Sequence, residues 1–570
     1  MAAYSVRKSL LPLSRKIILA LQKEPILDVK KLRKVRNALT EKNGGLLPRN
    51  LELIQAYRDL LSEKKIKSNP DLLGAIQKRK VRTMSGIANV TVLTKDLGCP
   101  GRCIFCPTEK GMPKSYLSNE PAMMRAVQNE FDAYRQVKAR LSGLVAQGHD
   151  VSKVDVRIAG GTWGSVPEGY RLEFLAGIYR ALNEGPTTKS SKSEFSKSEK
   201  FSKFEIRNSK LHLAKLIENN EKAKCRCVGL WIETRPDWVD LEEIRKLRSY
   251  GVTGVELGIQ TTDDRVNKFC QRGHGLATSI HATQLLRDAG LKVCHHLMPN
   301  LPMATLKSDL KSGKDLFDNE GLRPDYLKIY PMVVTETAPL AKMLKKDPTL
   351  YKAYTDEELM KLLIGIKKHI PEYCRVIRII RDIPEESVLS GNKKTNLRQL
   401  MQNKGVVCRC VRCREIGDLN FRIQDTEIRI QQYKANGGKE FFITFEEPKL
   451  DKIVGLCRLR LPGKKAKMAF KTLDGVALVR ELHVYGRQKS LEEKGLDSKT
   501  QHLGLGKRLM AEAERIAKKA GYSKIAVIAA IGTREYYKKL GYKLEETYMT
   551  KSLKRESQVS RGSNALATRA

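Results

Sequence analysis

Apolar and polar residues follow different patterns in successive parts of the chain. Up to about residue 82, Leu and Ile recur at helical spacing among Lys and Arg, as in LLPLSRKIILALQK and NLELIQAYRDLL. This period predicts a helical segment with a basic face, although a plain solvated bundle would show the same period. From about 83 to 340, short apolar runs alternate with amphipathic stretches, and a similar alternation returns at about 421–552.

The alternation at 83–340 predicts an α/β fold. Runs such as KVDVRIAGGTW, CVGLWIETRPD and VTGVELGIQT have the composition of strands. Parallel strands joined by helices close into a full or partial barrel, whose functional site lies at the carboxyl ends of the strands. A Ser/Lys/Glu-rich insert at about 185–205 interrupts this pattern and is predicted to be an exposed loop of no evident role.

The remaining boundaries follow from the same patterns. We expect a helical connector with cysteines at 341–420, a second α/β domain at 421–552 and a polar tail at 553–570. The second domain is built around one strong helix, GKRLMAEAERIAKKAG, which starts at Gly506 and stops at Gly521. Its apolar residues fall on a single face at helical spacing.

Length and charge narrow the class of function. The 570 residues carry 106 Lys and Arg against 64 Asp and Glu, which gives a net charge of +42. Such a field attracts polyanions, of which nucleic acid is the commonest, and the basic helices at 1–82 are the expected binding segment. No apolar run approaches the roughly 20 residues that a membrane span requires, so we expect a cytoplasmic protein.

Cysteine spacing indicates a metal centre. Cys99, Cys103 and Cys106 lie on one loop directly after a predicted strand. Three thiolates at this spacing can bind three irons of a [4Fe–4S] cluster and leave the fourth iron open to a ligand. A zinc knuckle and inert buried thiols are the alternatives.

A second group of cysteines lies in the connector. Cys408, Cys410 and Cys413 offer three soft ligands, which favours a structural zinc ion. The fourth ligand would come from elsewhere, for example Cys374 or His369. Simple buried cysteines remain the alternative.

Glycine-rich turns follow or precede regular elements at two places. Gly160 and Gly161 end the second predicted strand, where backbone without side chains can approach a ligand closely, although a plain turn would look the same. The stretch Gln501-His502-Leu503-Gly504-Leu505-Gly506 directly precedes the strong helix. Its backbone N–H groups and the positive end of the helix together can bind a pyrophosphate.

The first set of features resembles the radical S-adenosylmethionine (SAM) enzymes. The resemblance rests on the cysteine spacing, the aromatic residue before Cys106 and the strand–helix alternation. It implies that SAM binds the open iron and is cleaved by one electron to a 5′-deoxyadenosyl radical. It also implies that Gly160, Gly161 and Thr162 contact the amino group of SAM.

The second set resembles the GNAT acetyltransferases. The glycine-rich stretch lies between the strands ELHVYG and KIAVIAAIG, as does the coenzyme A loop of that family. The resemblance implies that Tyr536 and Tyr537 approach the thioester, although two tyrosines on a helix can equally serve packing. It implies that acetyl-CoA is bound by the loop, by the strand that lines the pantetheine arm and by one tyrosine: Gln501, Gly504, Leu505, Gly506, Lys507, Glu481, Leu482, His483, Val484 and Tyr537.

Together, the two domains behind a basic helical segment resemble the catalytic subunits of Elongator, in particular the archaeal type. The motifs are PKSY (113–116), Glu120-Pro with Arg125, IETRPD (232–237), GVELGIQT (254–261), RELHVYG (480–486) and QHLGLGKRLM (501–510). The first two cluster cysteines have a shorter spacer than in many members, which removes no ligand.

Membership of that family implies a reaction. Its members use SAM and acetyl-CoA to form a carboxymethyl group at C5 of the wobble uridine, position 34, of tRNA. The implied partners are the tRNA anticodon stem-loop and an external electron donor, and Lys153 is implied to contact acetyl-CoA from the barrel side. The scheme requires the cluster loop and the thioester pocket to face one chamber.

Two other functions remain open at this stage. One is a lysine acetyltransferase of protein substrates with a structural iron–sulfur cluster. A strongly cationic enzyme is poorly suited to that role, because like charges disfavour its encounter with basic protein tails. The other is a tRNA-binding scaffold that only hydrolyses acetyl-CoA when tRNA docks.

Overall fold

The computed structural model describes residues 6–24, 29–79, 82–186, 206–417, 419, 421–486 and 504–553. Most of the predicted Ser/Lys/Glu-rich loop, the polar tail beyond 553 and Gln501 lie outside the described residues.

The N-terminal helices form a small domain with its own core. Apolar side chains at helical spacing, such as Ile17, Ile18 and Leu53, are buried against one another. The carboxylate of Glu52 is inaccessible to solvent and binds the guanidinium groups of Arg7 and Arg49. The helices are α1 (Leu11–Gln22), α2 (Val29–Lys42), α3 (Asn50–Ser62) and α4 (Pro70–Ile76).

The central domain is an incomplete parallel barrel. Its strand order is β1-β2-β3-β4-β5-β6-β8, with parallel pairing throughout, and β7 and β9 form a separate antiparallel pair. Strand β8 comes from the segment that the sequence assigns to a connector. The strands are β1 (Ala88–Leu93), β2 (Lys153–Ala159), β3 (Arg226–Thr234), β4 (Gly254–Gln260), β5 (Lys292–Leu297), β6 (Tyr326–Ile329), β7 (Val334–Thr335), β8 (Arg375–Arg378) and β9 (Val388–Ser390).

Helices cover the outer face of this sheet, as parallel crossovers require. In the described ranges, none of the helices combines the length and the apolar character needed to cross a membrane. The helices between the first and the last of the three domains are α5 (Pro121–Gln128), α6 (Ala133–Ala146), α7 (Glu168–Glu184), α8 (Ile206–Asn220), α9 (Leu241–Ser249), α10 (Asp264–Phe269), α11 (Leu276–Asp288), α12 (Leu306–Asp318), α13 (Pro339–Lys346), α14 (Asp356–His369), α15 (Leu397–Asn403) and α16 (Val411–Arg414).

The C-terminal domain is a mixed sheet in the order β10-β11-β12-β13-β14-β16-β15. Parallel pairing of β13 with β14 ends at Val479 and Val527, so the rest of β13 runs on beside helix α17. The apolar face of α17 is buried, as its period predicts. The elements are β10 (Glu427–Ala435), β11 (Gly438–Glu447), β12 (Lys452–Leu461), β13 (Ala477–Val484), α17 (Leu505–Lys519), β14 (Lys524–Val527), α18 (Arg534–Lys538), β15 (Lys543–Glu545) and β16 (Tyr548–Ser552).

This second sheet packs against the amino ends of the barrel strands. The hydroxyl of Tyr548 donates to the carbonyl of Ala289, just before β5, at 2.8 Å. Nε2 of His483 lies 2.8 Å from the carbonyl of Ser85, just before β1. The carboxyl ends of the barrel strands, where a ligand site is expected, therefore lie at the opposite end of the barrel.

Candidate active site

The cysteine loop follows β1 at the carboxyl end of the barrel. Apolar residues within the loop hold it in place, because Ile104 and Phe105 are buried in a cluster with Leu301 and Leu340. The N–H of Leu340 also donates to the carbonyl of Ile104 at 2.8 Å. Cys103 is buried, whereas Cys99 and Cys106 are half-buried.

The three sulfurs are spaced more widely than the ligands of a single ion, which is compatible with an iron–sulfur cluster. The sulfur atoms of Cys99, Cys103 and Cys106 do not all lie within 4.8 Å of one another. A [4Fe–4S] cluster needs this wider spacing, because each cysteine binds a different iron. Burial raises the pKa of Cys106 to about 12, so the incoming metal must displace its proton.

The glycine turn after β2 adjoins this loop. Gly160 has φ of +136°, and a Cβ atom there would lie 2.1 Å from Oγ1 of Thr94, so glycine is required. Gly160 and Gly161 line a pocket that Glu233 also lines. Oγ1 of Thr162 lies 3.3 Å from Sγ of Cys99. The structure thus brings Gly160, Gly161 and Thr162 beside the cluster cysteines.

A buried polar cluster lies inside the barrel below this pocket. Glu256 on β4 forms ion pairs with Arg157 on β2 and Lys328 on β6, and its Oε2 lies 2.8 Å from Nε2 of His296 on β5. Burial alone would raise the pKa of Glu256, but these cationic and hydrogen-bonding neighbours hold it well below its usual range. Glu256 with two cationic partners is a poor metal ligand, although it lies within 4.8 Å of Cys294 and His296.

Glu233 connects this polar cluster to the pocket. Its carboxylate accepts a hydrogen bond from the hydroxyl of Tyr116 at 2.9 Å and lies 3.8 Å from Nδ1 of His296. None of these residues was predicted to belong to the site. The available signal was the presence of ionisable residues inside otherwise apolar strands, such as Glu256 in GVELGIQ and Lys328 in YLKI.

The predicted coenzyme A loop lies at the start of α17. Gly504 precedes the helix with φ of +77°, a backbone conformation that glycine adopts readily. Leu505 is buried, and Lys507 lies in the first turn. A Cβ atom on Gly506 would lie 2.8 Å from the hydroxyl of Tyr536. Gln501 lies outside the described residues, so its predicted contact stays untested.

The two tyrosines of α18 differ in their surroundings. The Tyr536 hydroxyl is buried and has no hydrogen-bond partner within the described part of the chain, and burial raises its pKa to about 12. Tyr537 belongs to the main apolar core, where burial raises its pKa well above its usual value. Both tyrosines are therefore protonated at neutral pH.

Strand β13 presents its two faces to different partners. Glu481 binds Arg458 at 2.8 Å and also Tyr326 of the barrel, and His483 contacts the barrel through Ser85. Val484 lies on the α17 side, where its Cγ2 would be 3.8 Å from a Cβ on Gly506. Because side chains alternate along a strand, Leu482 shares this face, and contacts of Glu481 and His483 with a pantetheine arm would use backbone rather than side chain.

Lys153 is the first residue of β2 and therefore lies at the amino end of the barrel. Its strand neighbour is Arg226, and Gly532 of the C-terminal domain packs so closely on Arg226 that a Cβ there would lie 2.5 Å from the arginine Cβ. Burial lowers the pKa of Lys153 to about 8. Lys153 is thus on the side of the barrel that faces the predicted acetyl-CoA domain.

The cluster loop and the start of α17 lie towards opposite ends of the barrel strands, and a chamber shared by the two stays a prediction. Strand β13 contacts both edges of the incomplete barrel. Strands β1 and β8 are the two edges of the incomplete barrel. His483 contacts Ser85 just before β1, and the hydroxyl of Tyr485 accepts a hydrogen bond at 3.1 Å from Arg375 of β8. At the carboxyl end, the segments that follow these two edges contact each other, because Arg381 after β8 forms an ion pair with Glu120 beyond the cluster loop.

The second cysteine group has the compact geometry of a zinc site. The sulfurs of Cys408, Cys410 and Cys413 lie within 4.8 Å of one another, as tetrahedral ligands at about 2.3 Å from one ion would. Hydrogen bonds from the other two thiols lower the pKa of Cys410 far below its usual value. His369 instead binds Asp318 at 2.8 Å, and the sulfur of Cys374 lies outside the compact group.

Family models match most of the chain. The Radical SAM superfamily matches residues 97–311, the Radical_SAM C-terminal domain 324–405 and the Acetyltransferase (GNAT) family 412–542. These matches confirm the predicted fold class, a partial radical SAM barrel followed by a GNAT-type α/β domain. The first domain implies a [4Fe–4S] cluster and SAM as cofactors, and the last implies acetyl-CoA.

Relatives with known names span nearly the whole chain. The tRNA uridine(34) acetyltransferase of Methanocaldococcus jannaschii is 39% identical, over 89% of this chain and 90% of its own. The Elongator complex protein 3 of Homo sapiens is 35% identical, over 92% and 93%. The solved structure of the archaeal Methanocaldococcus infernus Elp3 with an N-terminal deletion is 35% identical, with a TM-score of 0.67 over 82% of this chain and 99% of its own. The chain therefore belongs to the tRNA uridine(34) acetyltransferase and Elongator complex protein 3 family, and it is an acyltransferase that carries a radical SAM domain.

Proposed function

We propose that this protein forms a carboxymethyl group at C5 of the wobble uridine of tRNA, with acetyl-CoA as the source of carbon. The observation that carries the proposal is that one chain joins a cysteine loop suited to a [4Fe–4S] cluster, at the carboxyl end of a radical SAM barrel, to an acetyltransferase domain through buried ion pairs. A target base in an anticodon loop is already unpaired, so it can be turned into an active site at low cost.

Radical chemistry explains why one chain needs both domains. C5 of uridine is an electron-rich carbon, so it does not accept the enolate that a base would form from acetyl-CoA, whereas a carbon radical can add to it. When bound, the cluster and SAM supply a carbon-centred radical able to abstract hydrogen from the methyl group of acetyl-CoA.

In this scheme, the residues of the chain bind and orient the reactants. Gly160 and Gly161 let backbone approach SAM, and Thr162 links that turn to the cysteine loop. Glu233 presents its carboxylate to the pocket, and the ammonium group of Lys328 binds Glu256 in the buried polar cluster.

We assign acetyl-CoA binding to the GNAT domain. The backbone N–H groups at the start of α17 hold the pyrophosphate, and β13 beyond Val479 runs beside the pantetheine arm. Tyr536 offers a protonated hydroxyl beside Gly506, where it can donate a hydrogen bond to the thioester or its sulfur. We also assign Lys153, at the amino end of β2, a contact with the same cofactor from the barrel side.

The N-terminal helices are proposed to bind the phosphates of tRNA. Exposed basic residues on α2 include Lys30, Arg33 and Lys34. Replacing these three by Gln should weaken tRNA binding and make the slope of log affinity against log salt less steep, by about 0.7 to 0.9 for each phosphate that the variant no longer neutralises. An unchanged salt slope would contradict the assignment. The radical step also requires an external electron donor.

The test is anaerobic incubation of reconstituted protein with tRNA, SAM, acetyl-CoA and dithionite, followed by mass spectrometry of the nucleosides. We expect a mass increase at uridine that carries the two carbons of labelled acetyl-CoA. Cys103→Ala should abolish it. If Cys103→Ala instead retained full acetyl transfer to protein lysines and the wild type left tRNA unmodified, the chain would be a lysine acetyltransferase with a structural cluster.

A further inference from the structure

Two guanidinium groups contact one of the three cluster cysteines. Nη1 of Arg272 lies 3.2 Å from Sγ of Cys103, and Nη1 of Arg235 lies 3.9 Å from the same sulfur. Both arginines are buried, with 5% and 8% of their surface exposed. The sulfur of Cys99 instead lies near neutral groups, the hydroxyl of Thr162 and the N–H of Gly101. Cys103 is thus the cluster cysteine whose sulfur two buried guanidinium groups contact directly.

Arg235 is held rigidly in this place. Asp237 binds its guanidinium at 2.8 Å and 2.9 Å, and its Nη2 donates to the carbonyl of Arg272 at 2.7 Å. Two glycines enclose it: a Cβ on Gly101 would lie 2.3 Å from Nη1, and one on Gly273 3.2 Å from Nη2. The glycine between the first two cluster cysteines therefore makes room for this arginine.

Arg272 lacks a compensating carboxylate. Its Nη2 donates to the carbonyl of Gly258 and lies 3.0 Å from Nε2 of His274, both neutral acceptors, and its Nε has no hydrogen-bond partner. Across the described ranges, Arg272 forms no salt bridge. A buried cation without a counter-charge is costly, and the sulfur of Cys103, 3.2 Å away, offsets it when it is a thiolate.

We propose that Arg272, supported by Arg235, is a positioning residue that raises the reduction potential of the cluster bound by Cys99, Cys103 and Cys106. This inference rests on the presence of that cluster. A [4Fe–4S] core with three thiolates is already anionic, and reduction adds a further negative charge. Fixed cations at hydrogen-bond distance in a site of low dielectric stabilise the more negative state. The pair would thereby make the first electron transfer, on which SAM cleavage depends, easier.

The experiment measures the potential directly. Wild type, Arg272→Gln, Arg272→Lys and Arg235→Gln are reconstituted anaerobically without SAM, acetyl-CoA or tRNA, and iron and sulfide are quantified. The midpoint potential is then determined by redox titration followed by electron paramagnetic resonance. Arg265→Gln is the matched control, because this arginine lies nearby in sequence, is 81% exposed and pairs only with Asp263 among the described residues.

We expect Arg272→Gln to shift the midpoint to more negative potential and Arg235→Gln to shift it less in the same direction, since its contact is longer. Arg272→Lys keeps the charge, so its midpoint potential should differ less from the wild type than that of Arg272→Gln. The control Arg265→Gln should have the wild-type midpoint potential. If Arg272→Gln fails to load iron, the midpoint potential of Arg235→Gln decides the question. Wild-type potentials in every loaded variant would overturn the inference. Absence of a cluster from the wild type would instead contradict the proposed function.

Discussion

Arg480 on β13 and Asp325 at the start of β6 form an ion pair that no solvent reaches, and it joins the GNAT domain to the barrel. Each residue is 0% exposed. Further arginines and carboxylates of both domains surround the pair, so that four of each lie together: Arg287, Arg458, Arg460, Arg480, Asp288, Asp325, Glu440 and Glu481. The equal numbers balance the charge, and the two domains are thereby fixed in one relative position.

Removing one member of this network should be strongly destabilising. We expect Asp325→Asn to lower the stability by about 3–5 kcal/mol, because it leaves four buried arginines with three carboxylates and removes the carboxylate that Arg480 and Arg458 share. Urea denaturation followed by circular dichroism measures the change. Glu242→Gln, which breaks an exposed pair with Lys246, should change stability by less than about 1 kcal/mol. Equal effects of the two variants would mean that the buried pair does not hold the domains together.

The glycine turn after β2 gives a test of SAM binding that leaves the cysteines intact. Gly160→Ala should weaken SAM binding at least about tenfold, which corresponds to about 1.4 kcal/mol, since its Cβ would collide with Thr94. Equilibrium dialysis with reconstituted protein measures the affinity, and iron content should be unchanged. Gly169→Ala is the control, because a Cβ there meets nothing within 4 Å. A SAM affinity like that of the control would remove Gly160 from the SAM site.

His149 should make the attachment of the N-terminal helices sensitive to acid. Its Nδ1 accepts hydrogen bonds from Gln77 and Thr83, both at 2.8 Å, and its Nε2 donates to the carbonyl of Lys78 at 3.0 Å. Burial lowers its pKa to about 4. The unfolded chain therefore binds a proton more readily, so this contribution to stability is complete above about pH 6.5 and is lost as pH falls towards 4.

Thermal unfolding at about pH 7 and about pH 5 tests this linkage. The drop in Tm from the higher to the lower pH should be larger in the wild type than in His149→Gln, because the glutamine side chain cannot take up a proton. An equal drop in both proteins would assign the acid sensitivity to other groups.

The compact cysteine group should bind one zinc ion per chain. Mass spectrometry of metals should find zinc in the purified protein. Cys410→Ser should lose the zinc, since the Cys410 thiol is hydrogen-bonded to the thiols of both Cys408 and Cys413. Iron bound after reconstitution should be unaffected, because the two cysteine groups are separate. Cys457→Ser, at a buried cysteine outside both groups, should retain zinc. Zinc-free wild type would leave the three residues as simple buried thiols.

The motifs were predictable because local sequence carries them. Cysteine spacing, a glycine pair after a strand and a glycine-rich turn before an amphipathic helix are each contiguous. Their chemistry follows from a few neighbouring backbone and side-chain groups. The alternation of strands and helices likewise predicted the barrel and the second α/β domain.

Other features depend on residues far apart in the chain. Arg272 is 169 positions from Cys103, and Arg480 is 155 from Asp325. The polar cluster around Glu256 draws residues from several different strands. Strand β8 was missed because a run of four residues, RVIR, has too few apolar positions to show a period.

The sequence alone determined the local chemistry: which cysteines share a loop, which glycines precede a helix, and that the chain is strongly basic. Only the tertiary structure decided how these parts are arranged, with the GNAT domain at the amino ends of the barrel strands and the cluster loop at their carboxyl ends. The physical reason is that a motif depends on neighbours along the backbone, whereas the pairing of buried charges and the closure of a sheet depend on packing between distant segments, which no local pattern encodes.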